Sequence, residues 1–357
     1  MLTRKKVVAI AFVFVLFVIG MFVLDYLLFI YQTSMDRENN ILIENNTLVL
    51  DSLTLRQKIA QMIVVRGDNT KNLKLNKFNI GGVFFDRQES EQDYTEIIER
   101  YREGSEINLF ITTDLEGFYN PFSSFESFQS FSEIESKTKA YDLGLEQGRI
   151  LKKIGFNLDF SPVAEFYDKS YGGRVFKGTE GEVKEKVEYY LRGLQKNVLG
   201  TCKHYPGRGM INNLHEESDE QVISEKDTGL FEVCIKNNIS SIMVGHQIVS
   251  GELDSKGRPS TVSKEVISSL GNFSGLVIID EVNMKGLKKF YFLNKKGMYR
   301  DIINAGGNVI LDFSLTPKSA YQLLLDIENQ VKRGEIDEKK IDESVTKILR
   351  VKGYRVI

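Results

Sequence analysis

The 357-residue sequence has few of several residue types: it contains two cysteines, five prolines and three histidines. Its charges nearly cancel, since 47 Lys and Arg face 49 Asp and Glu for a net charge of −2. This balance gives no broad electrostatic basis for binding nucleic acid, and we expect no such partner. The two cysteines cannot build a disulfide scaffold. Because Cys202 and Cys234 both lie in apolar-leaning segments, the sequence favours buried free thiols over a disulfide.

Long apolar runs are confined to the N-terminus. The basic stretch MLTRKK precedes residues 7–24, eighteen uncharged and almost wholly apolar positions, and the apolar character resumes after Asp25. This length is typical of a membrane span and exceeds the ~7 to 15 apolar residues of a cleaved signal. No small-residue cleavage site follows. We expect a cytoplasmic tail at 1–6 and an uncleaved anchor at 7–31, with the remaining chain outside the membrane. The alternatives are a buried soluble helix or a cleaved leader.

The chain beyond the apolar run divides into a polar tether at 32–52 and one domain at 53–357. Eight short apolar runs alternate with stretches of helical periodicity, such as 133–155, 182–197 and 318–334. This alternation predicts an α/β fold, a TIM (β/α)8 barrel preceded by one transmembrane helix. A doubly wound sheet is the alternative, but no GxGxxG follows an early strand. The runs are 62–65, 81–85, 108–113, 157–163, 200–205, 241–246, 275–280 and 308–313.

Polar residues stand where several of the predicted strands end. In a TIM barrel the carboxyl ends of all strands meet at one face, where functional residues gather. The sequence therefore predicts a polar pocket at that face. The residues concerned are Asp114, Glu116, Lys203, His204, His246, Asp280 and Asp312.

Several motifs give the sequence a specific likeness. KHYPGRG at 203–209, followed by Asn-x-His, resembles glycoside hydrolase family 3, in particular its β-N-acetylglucosaminidase branch, whose motif is KHFPGHG followed by Asp-Ser-His. Further matches cover nearly the whole domain: 53–65, 80–92, 114–117, 155–165, 172–178, 275–286 and 341–354. In that family the Asp of the segment matched by IDEVNM is the nucleophile, which implies Asp280, with the adjacent Glu281 as the competitor for this role.

The resemblance also implies the residues that hold the sugar. Carboxylates and cations suit a polyol because each hydroxyl both donates and accepts hydrogen bonds. No cofactor and no metal are implied. The implied sugar-binding residues are Asp114, Arg174, Lys203, His204, His246 and Met284, of which the last two could equally serve packing.

The acid/base loop departs from the family pattern. The branch uses a loop histidine, which here corresponds to His215, oriented by an Asp that is replaced by Asn213. An amide can orient the ring but cannot stabilise an imidazolium as a carboxylate would. Arg208 replaces a motif histidine, and the motif DLEG at 114–117 continues as FYNPF where the family usually has Gly-Arg-Val.

The sequence thus predicts a membrane-anchored, extracytoplasmic, retaining β-N-acetylhexosaminidase acting on cell-wall or related N-acetylglucosamine glycans. Retention of Asp280 and His215 favours an enzyme. Replacement of the orienting Asp by Asn213 favours the first alternative, a degenerate member that binds glycans without cutting them. The second alternative is an enzyme of β-glucosidase type, which usually takes its acid/base from a second domain.

Overall fold

The computed structural model describes residues 15, 18–21, 41–68, 70–166, 172–207, 221–292 and 294–357. Strands and helices are numbered here in chain order. The strands are β1 Ile43–Glu44, β2 Thr47–Leu48, β3 Ile63–Arg66, β4 Gly82–Phe84, β5 Phe110–Thr113, β6 Leu158–Asp159, β7 Leu199–Tyr205, β8 Gln221–Ile223, β9 Ser241–Val244, β10 Val249–Gly251, β11 Leu276–Ile279, β12 Val309–Leu311 and β13 Arg355–Val356. The helices are α1 Leu55–Gln61, α2 Glu91–Glu103, α3 Lys137–Ile154, α4 Glu180–Leu194, α5 Glu225–Lys236, α6 Lys264–Ser268, α7 Lys285–Phe290, α8 Lys295–Ala305, α9 Pro317–Lys332 and α10 Glu338–Val351.

Eight of these strands close into a parallel barrel in the order β11, β12, β3, β4, β5, β6, β7, β9, with β9 pairing back to β11. Each of the eight lies in or overlaps one of the predicted apolar runs. The prediction of an α/β barrel is therefore confirmed. Two short sheets stand outside it: β1, β2 and β13 form one, and β8 pairs with β10 in the other.

The barrel strands are apolar because the barrel interior covers one face and the helices cover the other. All four residues of β9 and all four of β11 are buried. Burying a side chain such as Ile278 contributes about 1.5 to 3 kcal/mol. Aromatic residues contribute to the core. The rings of Tyr94 and Phe122, for example, pack edge to face with their centroids 5.3 Å apart.

Several helices start at side chains that cap their free N–H groups. Thr179 accepts a hydrogen bond from the backbone of Glu182 at the start of α4, and Thr316 precedes Pro317 at the start of α9. Such caps stabilise a helix by about 1 kcal/mol each. Helix α3 begins in the same way, at Ser136.

Helices α3 and α4 approach each other closely at two glycines. A Cβ atom at Gly144 would collide with the carbonyl oxygen of Tyr190, and one at Gly193 would collide with that of Tyr141. These two positions therefore require glycine, which allows the two helices to pack closely against each other.

The structure corrects the expectation for the cysteines. Cys202 in β7 and Cys234 in α5 form a disulfide whose Cα atoms lie 6.5 Å apart, so the prediction of free thiols is wrong. Both residues are fully buried. Burial in an apolar segment is a property that free thiols and a buried disulfide share, which is why the local sequence could not separate the two.

Most of the predicted anchor at 7–31 lies outside the described residues, apart from residues 15 and 18–21, which are helical. Among the residues that the structure describes, no helix combines the length and the hydropathy of a membrane span.

Candidate active site

The carboxyl ends of the barrel strands bring four predicted site residues together. Asp114 follows β5, Lys203 and His204 lie at the end of β7, and Asp280 follows β11. All barrel strands run in the same direction, so these ends open onto one face. The charge of Asp280 is close enough to act on the carboxyl of Asp114.

Lys203 lies at the centre of this face and is held by two carboxylates. Its Nζ atom lies 2.5 Å from Oδ1 of Asp114 and also contacts Oε1 of Glu116. The residue is only 2% exposed. Burial alone would lower the pKa of Lys203, but the charges of Asp114 and Glu116 raise it above its ordinary value. The ammonium group therefore stays charged and fixed in direction.

Glu116 joins Lys203 to Arg174. The guanidinium of Arg174 donates through Nε to Oε2 of Glu116 and through Nη2 to Oε1, the latter at 3.0 Å. Burial alone would raise the pKa of Glu116, but the charges of Lys203 and Arg174 lower it. This two-point contact is the geometry in which Arg orients a carboxylate most firmly.

His204 lies between two further carboxylates. Its Nδ1 atom is 3.3 Å from Oε1 of Glu165, and its Nε2 atom is 4.0 Å from Oδ2 of Asp280. The backbone N–H of His204 also donates to Oε1 of Glu165, at 3.3 Å. Glu165 is 5% exposed, so the imidazole is oriented from the inside of the protein toward Asp280.

A break in strand pairing places His204 in this position. Lys203 pairs with Met243 and Tyr205 pairs with Val244, so His204 is the extra residue on β7. Such bulges re-aim a side chain and often occur beside active sites. The bulge lets Lys203 and His204, adjacent in sequence, both serve the same face of the barrel.

Asp280 and Glu281 are adjacent carboxylates with different surroundings. The Oδ1 atom of Asp280 accepts a 2.7 Å hydrogen bond from the backbone N–H of Glu281. The carboxylate of Glu281 accepts from the backbone and the side chain of Asn283, at 3.0 and 2.7 Å, and from the backbone of Phe313 at 3.3 Å. Glu281 is thus engaged by its own loop and by the backbone that follows β12, whereas Asp280 faces His204.

Burial raises the pKa of two carboxyl groups at this face of the barrel, those of Asp114 and Asp159. It raises the pKa of Asp114 to about 6, although the charge of Lys203 acts in the opposite direction. Asp159, at the end of β6, is fully buried, and burial raises its pKa well above the ordinary value. Its Oδ1 atom accepts a 2.9 Å hydrogen bond from the backbone of Leu115. Through this hydrogen bond Asp159 holds the backbone of Leu115, which lies between Asp114 and Glu116.

The remaining predicted residues with described positions are His246, Met284 and Asp312. Nδ1 of His246 lies 3.0 Å from Oγ1 of Thr261, and Nε2 lies 2.9 Å from the carbonyl oxygen of Glu281. Both ring nitrogens thus have protein partners, and the ring supports the loop after Asp280. Met284 is 41% exposed at the start of α7.

Asp312 is fully buried and serves the protein interior. It accepts hydrogen bonds from the Tyr299 hydroxyl, from the Asn283 side chain at 2.8 Å and from the Ser314 hydroxyl at 2.7 Å. Through Asn283 it is connected to Glu281, so it stabilises the two loops that follow β11 and β12.

His215 and Asn213 lie outside the described residues, as does Arg208. The flanking positions are described. Gln247 donates a 2.9 Å hydrogen bond from Nε2 to the carbonyl of Gly207, and the backbone of Gln221 donates to the carbonyl of Ile248 at 2.8 Å. Residues 208–220 therefore leave and rejoin the described chain beside two consecutive residues, 247 and 248, that follow the end of β9.

Three further residues complete the cluster: Glu116, which the sequence placed in the polar pocket without a specific task, and Asp159 and Glu165, which it did not single out. Each lies at or soon after the end of a barrel strand, where a charged residue in an otherwise apolar segment was the available signal. Their partners come from distant parts of the chain. Glu116 and Arg174, for example, are separated by 58 positions.

A closed (β/α)8 barrel carries its functional residues at the carboxyl ends of its strands and hosts many kinds of enzyme, and a pair of carboxylates at that face is the equipment that glycoside hydrolases use. The chain belongs to glycosyl hydrolase family 3, since the model of the family's N-terminal domain matches residues 54–351. The resemblance seen in the sequence and the expectation of a glycoside hydrolase are both confirmed.

Individual relatives agree with this family. The beta-hexosaminidase LpqI of Mycobacterium bovis is 23% identical over 334 residues, 84% of this chain and 83% of the relative. The beta-hexosaminidase of Haemophilus influenzae is 26% identical over 258 residues, 65% of this chain and 71% of the relative. These names support the β-N-acetylglucosaminidase branch.

Solved structures with low identity support the fold. LpqI of Mycobacterium tuberculosis superposes with a TM-score of 0.76 at 21% identity, covering 85% of this chain and 95% of that chain. A family 3 beta-N-acetylglucosaminidase of Paenibacillus sp. gives a TM-score of 0.74 at 23% identity, covering 85% of this chain and 63% of that chain.

Proposed function

We propose that this protein is a retaining β-N-acetylhexosaminidase that acts on N-acetylglucosamine-containing glycans of the cell wall or of related polymers. The observation that carries the proposal is the position of Asp280 after β11, with Oδ2 4.0 Å from Nε2 of His204. The adjacent Glu281 is occupied by hydrogen bonds within its own loop. This difference favours Asp280 as the nucleophile.

The first step is a displacement at the anomeric carbon. A carboxylate oxygen of Asp280 forms a bond to that carbon as the bond to the leaving oxygen breaks, and His215 gives its proton to the leaving oxygen. In the second step His215 takes a proton from water, whose oxygen attacks the anomeric carbon and releases Asp280. Asn213 would orient His215 through its amide. The two loop ends beside residues 247 and 248 support an approach of this segment to the site.

The polar cluster around Lys203 suits the hydroxyl groups of a sugar. The ammonium has three donors, of which two are directed at Asp114 and Glu116. Asp114 keeps 27% of its side chain exposed and so remains able to accept from a hydroxyl. Arg174 and His204 complete the proposed binding set. His246 and Met284 are assigned to the pocket wall, where His246 acts through the loop it supports.

One assay separates the candidate functions. Purified full-length protein in detergent is given aryl β-N-acetylglucosaminide and aryl β-glucoside, and its affinity for N-acetylglucosamine oligomers is measured in parallel. We expect faster turnover of the N-acetylglucosaminide. Binding of oligomers without any turnover would instead favour a degenerate glycan-binding barrel, for which Asn213 is the specific argument. Faster turnover of the glucoside would favour the β-glucosidase type.

We further propose that residues 7–31 anchor the protein in the membrane, with 1–6 cytoplasmic and the tether 32–52, whose β2 pairs with β13 of the domain, carrying the barrel domain 53–357 outside. The apolar run at 7–24 supports the anchor. The Cys202–Cys234 disulfide supports an oxidising, extracytoplasmic location, because such bonds are rare in reducing compartments.

Protease accessibility tests this location. On intact cells stripped of outer wall layers, added protease should degrade the domain, while the protein itself sediments with membranes. Complete protection, or recovery of a shortened soluble form, would reject the anchor.

A further inference from the structure

An aromatic side chain with an exposed ring stands at the edge of the site. Phe118 follows β5 in the segment that carries Asp114 and Glu116, and it is 68% exposed. A single exposed apolar residue is ordinary at a protein surface, so what makes Phe118 informative is its place in the segment that carries Asp114 and Glu116. The neighbouring Tyr119 is 42% exposed.

The backbone around Phe118 is fixed. The N–H of Glu116 donates a 2.9 Å hydrogen bond to the carbonyl of Tyr119, which closes a tight turn. Gly117 lies in the left-handed region at φ 70°, and a Cβ atom there would lie 2.7 Å from the ring of Phe131. The hydroxyl of Tyr119 donates to Oδ1 of Asp86 at 2.8 Å. The turn is therefore held at both ends while one ring stays exposed.

Phe118 also touches the residue next to Arg174. A Cβ atom at Gly173 would lie 2.6 Å from the Cβ of Phe118, so the two backbones meet with no space for a side chain at 173. Arg174 in turn holds Glu116. The position of Phe118 is thus tied to the charged cluster from two directions, through its own turn and through Gly173.

Sugar chemistry gives such a ring a use. The faces of a β-linked pyranose present axial C–H groups, and these contact the negative face of an aromatic ring favourably. The chain contains no tryptophan, so a stacking surface has to come from Phe or Tyr. The cluster of Lys203, Arg174 and Asp114 is polar and suits the hydroxyl groups of one sugar. Phe118 offers an apolar face, which suits a second sugar ring that extends beyond this cluster.

We propose that Phe118 is a specificity-determining residue that stacks on a second sugar ring, so that the site takes oligomeric glycans in preference to single sugars. This inference rests on the proposed function, because it presumes that the charged cluster holds the first sugar. The ring belongs to the segment in which the chain continues as FYNPF after DLEG.

A matched control residue lies on the other side of the barrel. Phe292 is 84% exposed and follows α7, behind β11. In the eight-stranded ring β5 and β11 are four strands apart, so the two phenylalanines emerge on opposite sides. Removing Phe292 deletes a comparable exposed ring without touching the turn at 116–119.

The test measures binding rather than turnover. Full-length Asp280→Ala protein in detergent is titrated calorimetrically with N-acetylglucosamine and with its β-1,4-linked tetramer. Phe118→Ala should lower the ratio of tetramer affinity to monosaccharide affinity by roughly 3- to 10-fold. Phe118→Tyr should keep the ratio, and Phe292→Ala should leave it unchanged.

Other outcomes overturn the inference in distinguishable ways. An unchanged ratio in Phe118→Ala, or an equal loss in Phe292→Ala, would reject Phe118 as a stacking surface. A tetramer that binds no more tightly than the monosaccharide would reject the second sugar position and leave the proposed function standing. Failure of both sugars to bind would reject the inference, and turnover of aryl N-acetylglucosaminide by the wild-type protein decides separately whether the proposed function stands.

Discussion

The side chain of Asn283 donates a 2.7 Å hydrogen bond to Oε1 of Glu281. This contact, together with the backbone donors around it, gives Glu281 a structural task in the loop after β11. The Oδ1 atom of Asp280, one position earlier, accepts a hydrogen bond from the backbone N–H of Glu281, and its Oδ2 atom faces His204. Two adjacent carboxylates are thus divided between holding the loop and facing the site.

The first prediction follows from this division. Asp280→Ala should lower kcat by roughly 10³-fold or more, because the covalent step loses its nucleophile. Glu281→Gln is the matched control and should retain most of the turnover while lowering the thermal unfolding midpoint, since the amide offers fewer acceptors to Asn283. Steady-state kinetics and thermal unfolding measure the two effects. Full activity in Asp280→Ala would move the nucleophile elsewhere.

The sequence predicted the barrel well because its strands are buried on both faces. Segments such as LVII in β11 form continuous apolar runs that need no knowledge of distant partners. The small sheet of β1, β2 and β13 was not predicted, because it pairs two-residue strands within the predicted tether 32–52 with the last residues of the chain. Local patterns carry no information about such pairings.

Part of the site could be predicted because its residues follow strands that the sequence reveals. Asp114, Lys203, His204 and Asp280 stand at the ends of recognisable strands, so fold geometry alone brings them together. The task of Glu165 depends on a bulge that re-aims His204 from another strand. The pairing of Cys202 with Cys234 likewise depends on how α5 packs against β7, across 32 positions.

The second prediction concerns pH. If the ionised carboxylate of Asp114 accepts a sugar hydroxyl, affinity for N-acetylglucosamine should fall by up to about tenfold between pH 7 and pH 5, as Asp114 with a pKa of about 6 takes up a proton. Calorimetric titration at several pH values measures this. Asp114→Asn should bind more weakly at neutral pH and lose the dependence.

The effect of Asp114 on the stability of the fold changes with pH in the opposite direction to its effect on sugar affinity. The folded pKa of about 6 exceeds the ordinary value of 3.8, so between these values the folded chain binds more protons than the unfolded chain. The contribution of Asp114 to stability is therefore fully present below pH 3.8 and is lost as the pH rises through about 6. A sugar affinity that does not change between pH 5 and pH 7 would contradict the assignment of Asp114.

The third prediction concerns the disulfide. Cys202 and Cys234 are separated by 32 positions, and closing a loop of that length in the unfolded chain corresponds to about 3 to 4 kcal/mol of stability. Dithiothreitol should lower the urea midpoint accordingly. The Cys202→Ala, Cys234→Ala double variant should show a similar loss and no further response to the reductant. An identical midpoint with and without reductant would contradict the pairing.

The last prediction tests the departure of the acid/base segment from its family. A carboxylate at position 213 would stabilise the protonated ring of His215, whereas Asn213 can only orient it. General acid/base groups contribute ~10² to 10⁴-fold to rate, so Asn213→Asp should raise kcat measurably if the wild-type protein is a weakened enzyme. His215→Ala should slow substrates with poor leaving groups far more than activated aryl substrates, because only the poor leaving groups need a proton in the first step. Measuring kcat for a series of aryl N-acetylglucosaminides of graded leaving-group pKa separates the two effects. Unchanged turnover in both variants, with oligomer binding intact, would mean that this segment no longer takes part in catalysis and that the barrel binds glycans without cleaving them.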